Sequence, residues 1–293
     1  MGRPMSMLAT DELIVGANGY LGQYLASARR RSSCILHSAA APGALCAATG
    51  LPFVREDLCQ SWELLGRLNP STVYLLARPV TQQADVLLKF GQNVQEMLQE
   101  WAARGCLKRV VFASTQLVYA TPPDEKPIDV DFPLAPETPY DFHKTAMEFH
   151  LQLLARHPAQ PRVEIYRLPL LAGRKPTGSQ HQFIYSWRDA YARGDSWPFP
   201  HASTDAIRWG TSWVHVDDVV ELMVRGNPPG KGPCHLVQPV SGAFTYWEMH
   251  EHLCARFGAA RSAQSLHLAR TCFFLKDNAR LTPRGLDEAL EDR

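Results

Sequence analysis

Three glycines near the start of the chain constrain it more than anything else. The segment Glu12-Leu-Ile-Val-Gly-Ala-Asn-Gly-Tyr-Leu-Gly-Gln-Tyr-Leu-Ala26 runs from an apolar stretch, Leu13 to Val15, into glycines at 16, 19 and 22. Leu21, Tyr24 and Leu25 follow at helical spacing. This pattern predicts a strand, a tight turn and a helix. Such a turn presents bare backbone N–H groups at a helix N-terminus, where the partial positive charge of the helix dipole favours a diphosphate. Gly16 permits the turn, Gly19 lets phosphates approach, and Gly22 lets the helix pack close to the strand. An ordinary glycine-containing strand-to-helix turn has the same local pattern, so the rest of the chain must decide.

Composition removes several alternatives. The 293 residues carry a formal net charge of +1 with 20% charged side chains, so no global electrostatic signal points to nucleic acid or an acidic membrane surface. Arg29-Arg30-Arg31 ends the first helix and reads as solvated surface on a favourable dipole. The cysteines at 34, 46, 59, 106, 234, 254 and 272 form no close pair and no metal-ligand spacing, which predicts reduced thiols, no metal and a cytoplasmic setting. The first residues lack the apolar core of a signal peptide, and no uncharged apolar run approaches the length of a membrane span.

Further along, short apolar runs alternate with helical patterns. Strands are predicted at Cys34 to His37, Leu51 to Arg55, Thr72 to Ala77 and Lys108 to Thr115, and helices at Trp62 to Leu68 and Gln82 to Arg104. Alternation of this kind implies right-handed crossovers and a parallel sheet covered on both faces, an α/β architecture of the doubly wound Rossmann type. The helix from Gln82 shows Val86, Phe90, Val94, Met97, Leu98 and Trp101 on one face, as core packing and a possible dimer surface would require, with Asn93 as a polar exception. From Pro169 onward prolines and tryptophans become frequent. The expected division is therefore a dinucleotide-binding domain over 1–168 and a smaller substrate-binding part over 169–293, with residues around 212–240 returning to the first domain. The tryptophans at 187, 197, 209 and 213 are expected mostly in the core.

Chemistry is expected beyond the carboxyl ends of the strands, where open parallel sheets bind ligands. Both the glycine turn and Ser114-Thr115 fall at such ends. After a proline-rich loop, a helix opening at Pro139 carries Tyr140 and Lys144 one turn apart on one face. An ammonium beside a phenol favours the phenolate and lowers its pKa from about 10 towards the working range, which makes the tyrosine a proton donor and acceptor.

The order of these features resembles the extended short-chain dehydrogenase/reductase family, the NAD(P)-dependent epimerases and dehydratases of nucleotide sugars. Gly16 to Gly22 is similar to its glycine turn, Asp57-Leu58 to its adenine-side pair, and Leu75-Leu76-Ala77 to its cofactor-lining strand. Asn93-Val94, Phe112 to Tyr119, Pro139 to Lys144 and His215-Val-Asp-Asp218 match four further motifs. The resemblance implies Tyr140 as catalytic acid/base, Lys144 as its partner and ribose ligand, and Thr115 on the substrate oxygen beside Ser114 and Gln116. It implies cofactor contacts from Gly16, Asn18, Gly19, Tyr20, Leu21, Gly22, His37, Ser38, Asp57, Leu58, Leu76, Ala77, Arg78, Asn93 and Arg167. Arg208 and Arg280 become candidates for a substrate phosphate, and a homodimer is expected.

Departures from the family pattern narrow the expected reaction. Family dehydratases carry Asp-Glu after the catalytic threonine, where this chain has Gln116-Leu117. Family 4-epimerases carry an asparagine and an arginine for the substrate diphosphate, where this chain has Leu170 and Thr211. The segment Gly210 to Asp218 resembles the dTDP-4-dehydrorhamnose reductase branch. The expected function is thus reduction of a keto group on a nucleotide sugar, with an epimerase holding its cofactor tightly, or a silent NADP-binding sensor, as alternatives. At the end of the second strand, where the carboxylate that holds the ribose of NAD usually sits, stand His37 and Ser38. With arginines nearby this tips the balance towards NADP, with NAD still possible.

Overall fold

A computed structural model describes residues 11–30, 32–40, 43–79, 81–124, 126–174, 183–194, 210–226, 232–258 and 274–290. The chain forms two compact units: residues 1–114, 136–166 and 223–236 make the first, and 115–135, 167–222 and 237–293 the second. This grouping is finer than a single cut near residue 168, because the proline-rich loop after Ser114 belongs with the later part of the chain.

The first unit is built on a seven-stranded sheet. Its strands are β1 (Glu12–Val15), β2 (Cys34–Ser38), β3 (Phe53–Arg55), β4 (Thr72–Leu75), β5 (Arg109–Thr115), β6 (Arg162–Leu168) and β9 (Cys234–Val237), in the spatial order β3-β2-β1-β4-β5-β6-β9. β2 pairs in parallel with β1 and β3, and β4 with β1 and β5. The direction of winding reverses between β1 and β4, so a crevice opens beyond the carboxyl ends of those two strands. The sheet and its parallel pairings are those of the predicted Rossmann-type α/β fold. Leu13, Val15, Val73, Leu75, Val110 and Phe112 are fully buried in its core, as continuous apolar strands must be.

Helices α1 (Tyr20–Ala28), α2 (Gly43–Thr49), α3 (Glu63–Gly66), α4 (Ala84–Ala103) and α5 (Pro139–Leu154) complete this unit. Helix α4 packs on α5 and buries Phe90, Val94, Met97, Leu98 and Trp101. Val86 is only half-buried and the adjacent Leu87 is buried in its place. β3 starts at Phe53 and not Leu51, because Pro52 has no N–H for the ladder and offers only its carbonyl, which accepts from Leu36 N at 2.9 Å. Helix α2 was not anticipated: its Gly43 and alanines carry no apolar stripe, and none of its residues is buried.

The second unit contains a three-stranded sheet in the order β10-β8-β7, made of β7 (Leu170–Ala172), β8 (Gly210–His215) and β10 (Gly242–Thr245), with β8 parallel to β7 and antiparallel to β10. Helices α6 (Phe183–Arg193) and α8 (Tyr246–Phe257) pack together beside it. Between β8 and β9 runs α7 (Val216–Arg225), and α9 (Leu286–Ala289) closes the described chain. Trp187 and Trp213 are buried, as expected; Trp197 and Trp209 lie outside the described residues.

Candidate active site

The glycine turn owes its shape to three different constraints. Gly16 has φ +93°, and a Cβ there would lie 2.5 Å from the backbone N of Ala77, so this turn accepts no side chain. A Cβ on Gly22 would lie 2.3 Å from the carbonyl oxygen of Gly16, which is how α1 comes so close to β1. Gly19 differs. Its Cβ would meet only Gly16 O at 3.3 Å, it is exposed, and it caps α1 with no side-chain hydrogen bond. The missing side chain therefore leaves open space over the helix N-terminus. A cradle of bare N–H groups at the reversal of the sheet fits a dinucleotide diphosphate. Gly16 N and Ala17 N both donate to His37 O, at 3.0 and 2.9 Å, fastening the turn to β2. Behind it Tyr20 and Leu21 are buried, and Asn18 Nδ2 donates to Ala40 O at 3.0 Å.

The ribose end is polar but holds no carboxylate at 37 or 38. His37 is buried, its Nε2 lies 2.8 Å from Glu56 O, and burial lowers its pKa, so it is a neutral ring tied to the protein. Ser38 Oγ accepts from Ala40 N. Of the arginines that end the first helix, Arg29 is paired with Glu12 through Nε at 2.6 Å, and Arg31 lies outside the described residues. The cation at this end is Arg55, whose exposed side chain donates from Nε to Ala39 O at 3.2 Å. Asp57 is exposed and bonds Cys59 N; Leu58 is buried, and its carbonyl accepts from the buried Asn93 Nδ2 at 2.8 Å. Asn93 thus ties the loop after β3 to α4.

Helix α5 carries both Tyr140 and Lys144. Thr138 caps it: Thr138 Oγ1 accepts from Asp141 N and Asp141 Oδ2 accepts from Thr138 N, while Pro139 pre-sets the first turn. This fixes Tyr140 and Lys144 one turn apart on α5, and Arg78, just past the end of β4, brings its Cζ to 5.7 Å from the Tyr140 ring centroid. Lys144 is almost fully buried. Its Nζ donates to Ala113 O at 2.8 Å, sits 4.6 Å from the Phe112 ring and 5.8 Å from the Tyr140 ring. Burial and the nearby Arg78 push its pKa down to about 7, with Glu148 opposing the shift.

One turn further, Glu148 is buried and accepts a short hydrogen bond from Ser114 Oγ. The hydroxyl of Ser114 is therefore engaged with the protein, although the sequence reading gave it to the substrate. Glu148 was missed; its signal was a carboxylate four residues after the lysine on the same helix face. His143 also went unread. It packs edge-on to Phe90 at 5.5 Å, and burial, then Lys144, push its pKa down to about 4, against an opposing hydrogen bond that the ring donates to the Leu87 backbone.

The remaining candidates lie in the second unit. Thr115 ends β5, and its Oγ1 accepts from Leu117 N at 3.3 Å. Gln116 Nε2 donates to Thr211 Oγ1 at 3.1 Å, so one position that departs from the dehydratase pattern bonds to one that departs from the epimerase pattern. Arg167 donates to Val130 O at 2.8 Å and stacks on Tyr119 at 4.8 Å, which anchors the proline-rich loop. His215 ends β8, and Asp218 is held by Arg284 and by Ser241 Oγ at 2.7 Å. No group of three or more metal-ligating side chains occurs among the described residues. Arg208 lies outside them, and Arg280 takes a positive φ of 57°.

A glycine cradle at the sheet reversal and a Tyr-Lys pair on α5 define a class, the Rossmann-type proteins that use a nicotinamide dinucleotide. The chain belongs to the NAD dependent epimerase/dehydratase family, whose profile matches residues 13–226. No curated protein matches it significantly in sequence. Among solved structures it is similar to MoeE5 in complex with UDP-glucuronic acid and NAD, at 22% identity and TM-score 0.76 over 96% of both chains. It is similar also to UDP-glucose 4-epimerase from Thermotoga maritima, at 16% identity and TM-score 0.77 over 95% of this chain and 96% of that one. A third is TunA, an NAD-dependent NDP-hexosamine 5,6-dehydratase of tunicamycin biosynthesis, at 20% identity and TM-score 0.73 over 95% and 94%. At these identities the likeness is one of fold.

Proposed function

We propose that the protein is a nicotinamide-dependent oxidoreductase that reduces a keto group of a nucleotide-linked sugar, with Tyr140 as the proton donor. The observation that carries this reading is the Tyr140–Lys144 pair on α5, in the same unit as a glycine cradle with space for a diphosphate. The dinucleotide, when bound, supplies the hydride to the carbonyl carbon. Tyr140 gives its phenolic proton to the carbonyl oxygen, and Lys144, when protonated, favours the phenolate left behind. Thr115 is assigned to the substrate oxygen. Gln116 and Thr211, a neutral pair, stand where dehydratases and 4-epimerases use charge, which supports reduction over elimination or epimerisation and agrees with the 4-dehydrorhamnose reductase branch.

Arg55 beside Ala39, together with the absent carboxylate at 37 and 38, supports NADP over NAD. Much tighter binding of NADH than NADPH would overturn that preference. A homodimer is proposed through α4 and α5, where Leu88, Phe142, Phe149 and Leu153 are 67, 58, 55 and 62% exposed, an apolar surface suited to a second copy. Sedimentation as a monomer would overturn it. The buried or half-buried thiols of Cys34, Cys46, Cys59 and Cys106, none of them in a disulfide, support a reducing, cytoplasmic setting, and no described helix is long and apolar enough to cross a membrane.

The test is a screen of TDP-, UDP- and GDP-linked keto sugars with NADPH and NADH. Stoichiometric cofactor oxidation is the expected result. Interconversion of sugar epimers with no net cofactor consumption would make the protein an epimerase instead.

A further inference from the structure

Tyr140 is flanked by two cations. Lys144 Nζ stands 5.8 Å from the ring centroid, and Arg78 Cζ stands 5.7 Å from it, within the range of a cation–π contact. Lys144 comes from the same helix; Arg78 comes from the segment just past β4 and is otherwise exposed to solvent. The family resemblance implies only a cofactor contact for Arg78.

We propose that Arg78 is a positioning residue for Tyr140, holding the phenol ring and supplying a permanent positive charge that favours its phenolate. The proposal rests on the reading of Tyr140 as the proton-transfer group. Its physical basis is the contrast between the two cations. Lys144 is buried, and burial followed by Arg78 brings it to about pKa 7, so it sheds its charge as the pH rises through the range in which a tyrosine begins to ionise. A guanidinium stays protonated throughout. Above neutrality Arg78 is therefore the cation that persists over the ring. Glu148, on the same helix, acts on Lys144 in the opposite sense, and His143 turns away to Phe90. For a charge at roughly 6 Å with water-like screening, the expected effect is about half a pH unit on the phenol.

Because Arg78 is exposed, its replacement leaves the core intact, and thermal melting checks this directly. The experiment is a pH titration of the cofactor-free protein carrying 13C at the tyrosine ring Cζ, with the Tyr140 signal assigned by its loss in Tyr140→Phe. In Arg78→Gln the Tyr140 midpoint is expected to rise by about half a unit, and in Arg78→Lys to stay closer to wild type. An unchanged midpoint in Arg78→Gln, or equal shifts in both variants, overturns the proposal. So does a variant whose only defect is a raised KM for the dinucleotide, since that is the signature of a cofactor contact. The titration requires no turnover. If the midpoint moves as expected while Tyr140→Phe retains full activity, the electrostatic claim stands and the proton-transfer reading fails.

Discussion

The two units of the chain are furnished differently. In the first, polar and ionisable side chains are buried and directed: Lys144 onto Ala113 O, Glu148 onto Ser114, Asn93 onto Leu58 O, beside Gly16 and Gly22, which leave no room for a Cβ. In the second, Gln116 and Thr211 form a neutral pair, and the strong charge pairing is that of Asp218 with Arg284. The difference teaches where generality and specificity reside. Binding a dinucleotide and moving a proton demand fixed charges and bare backbone, and these are present. On the proposed reading, substrate selection falls to groups of the second unit that hydrogen-bond without charge, and the reaction class to the first.

The comparison breaks most easily at the glycines. Gly22→Ala should cost several kcal/mol, of the order of 3, because its Cβ cannot sit 2.3 Å from Gly16 O without pushing α1 off β1. Chemical denaturation should show the loss and dinucleotide binding should fall with it; a stable, binding-competent variant would show that the close approach is dispensable. Gly19→Ala, with nothing nearer than 3.3 Å, should fold normally and lose affinity for dinucleotide only.

A second prediction concerns the buried ring of His143, whose folded pKa of about 4 lies below its ordinary 6.5. The unfolded chain binds the proton first as pH falls, so this contribution is complete above about pH 6.5 and is lost progressively towards pH 4, an effect of up to about 3 kcal/mol. His143→Leu should flatten the fall in stability across that window. If the acid slope is the same in both proteins, the ring is not neutral in the folded state.

The smallest effect is expected in the second unit. Thr211→Val removes the acceptor of Gln116 Nε2, at a cost of about 1 kcal/mol in stability, and should raise KM several-fold for the accepted substrate with kcat nearly unchanged. A large loss of kcat there would contradict the division of labour between the units.

Much of the first unit was legible because its constraints are periodic and local. Glycines three apart, apolar runs ended by hydroxyls, and Tyr140 and Lys144 at i and i+4 leave their mark in the order of residues, and the family profile covers the same stretch. What stayed illegible depends on contacts distant in sequence. Nothing in the sequence order shows that Ser114 meets a carboxylate thirty-four residues on, that Gln116 meets Thr211 ninety-five residues away, or that Arg29 serves Glu12 and leaves the ribose end to Arg55. Arg78 was placed near the cofactor by its position after β4, yet its contact with Tyr140 appears only when the segment after β4 and α5 are seen together.

The central claim, that Tyr140 transfers the proton, is tested most directly by Tyr140→Phe assayed for turnover and, separately, for dinucleotide binding. The predicted result is a fall in kcat of about a thousandfold, within the usual range for loss of a general acid, with dinucleotide affinity kept within a few-fold. Turnover within a few-fold of wild type would contradict the account.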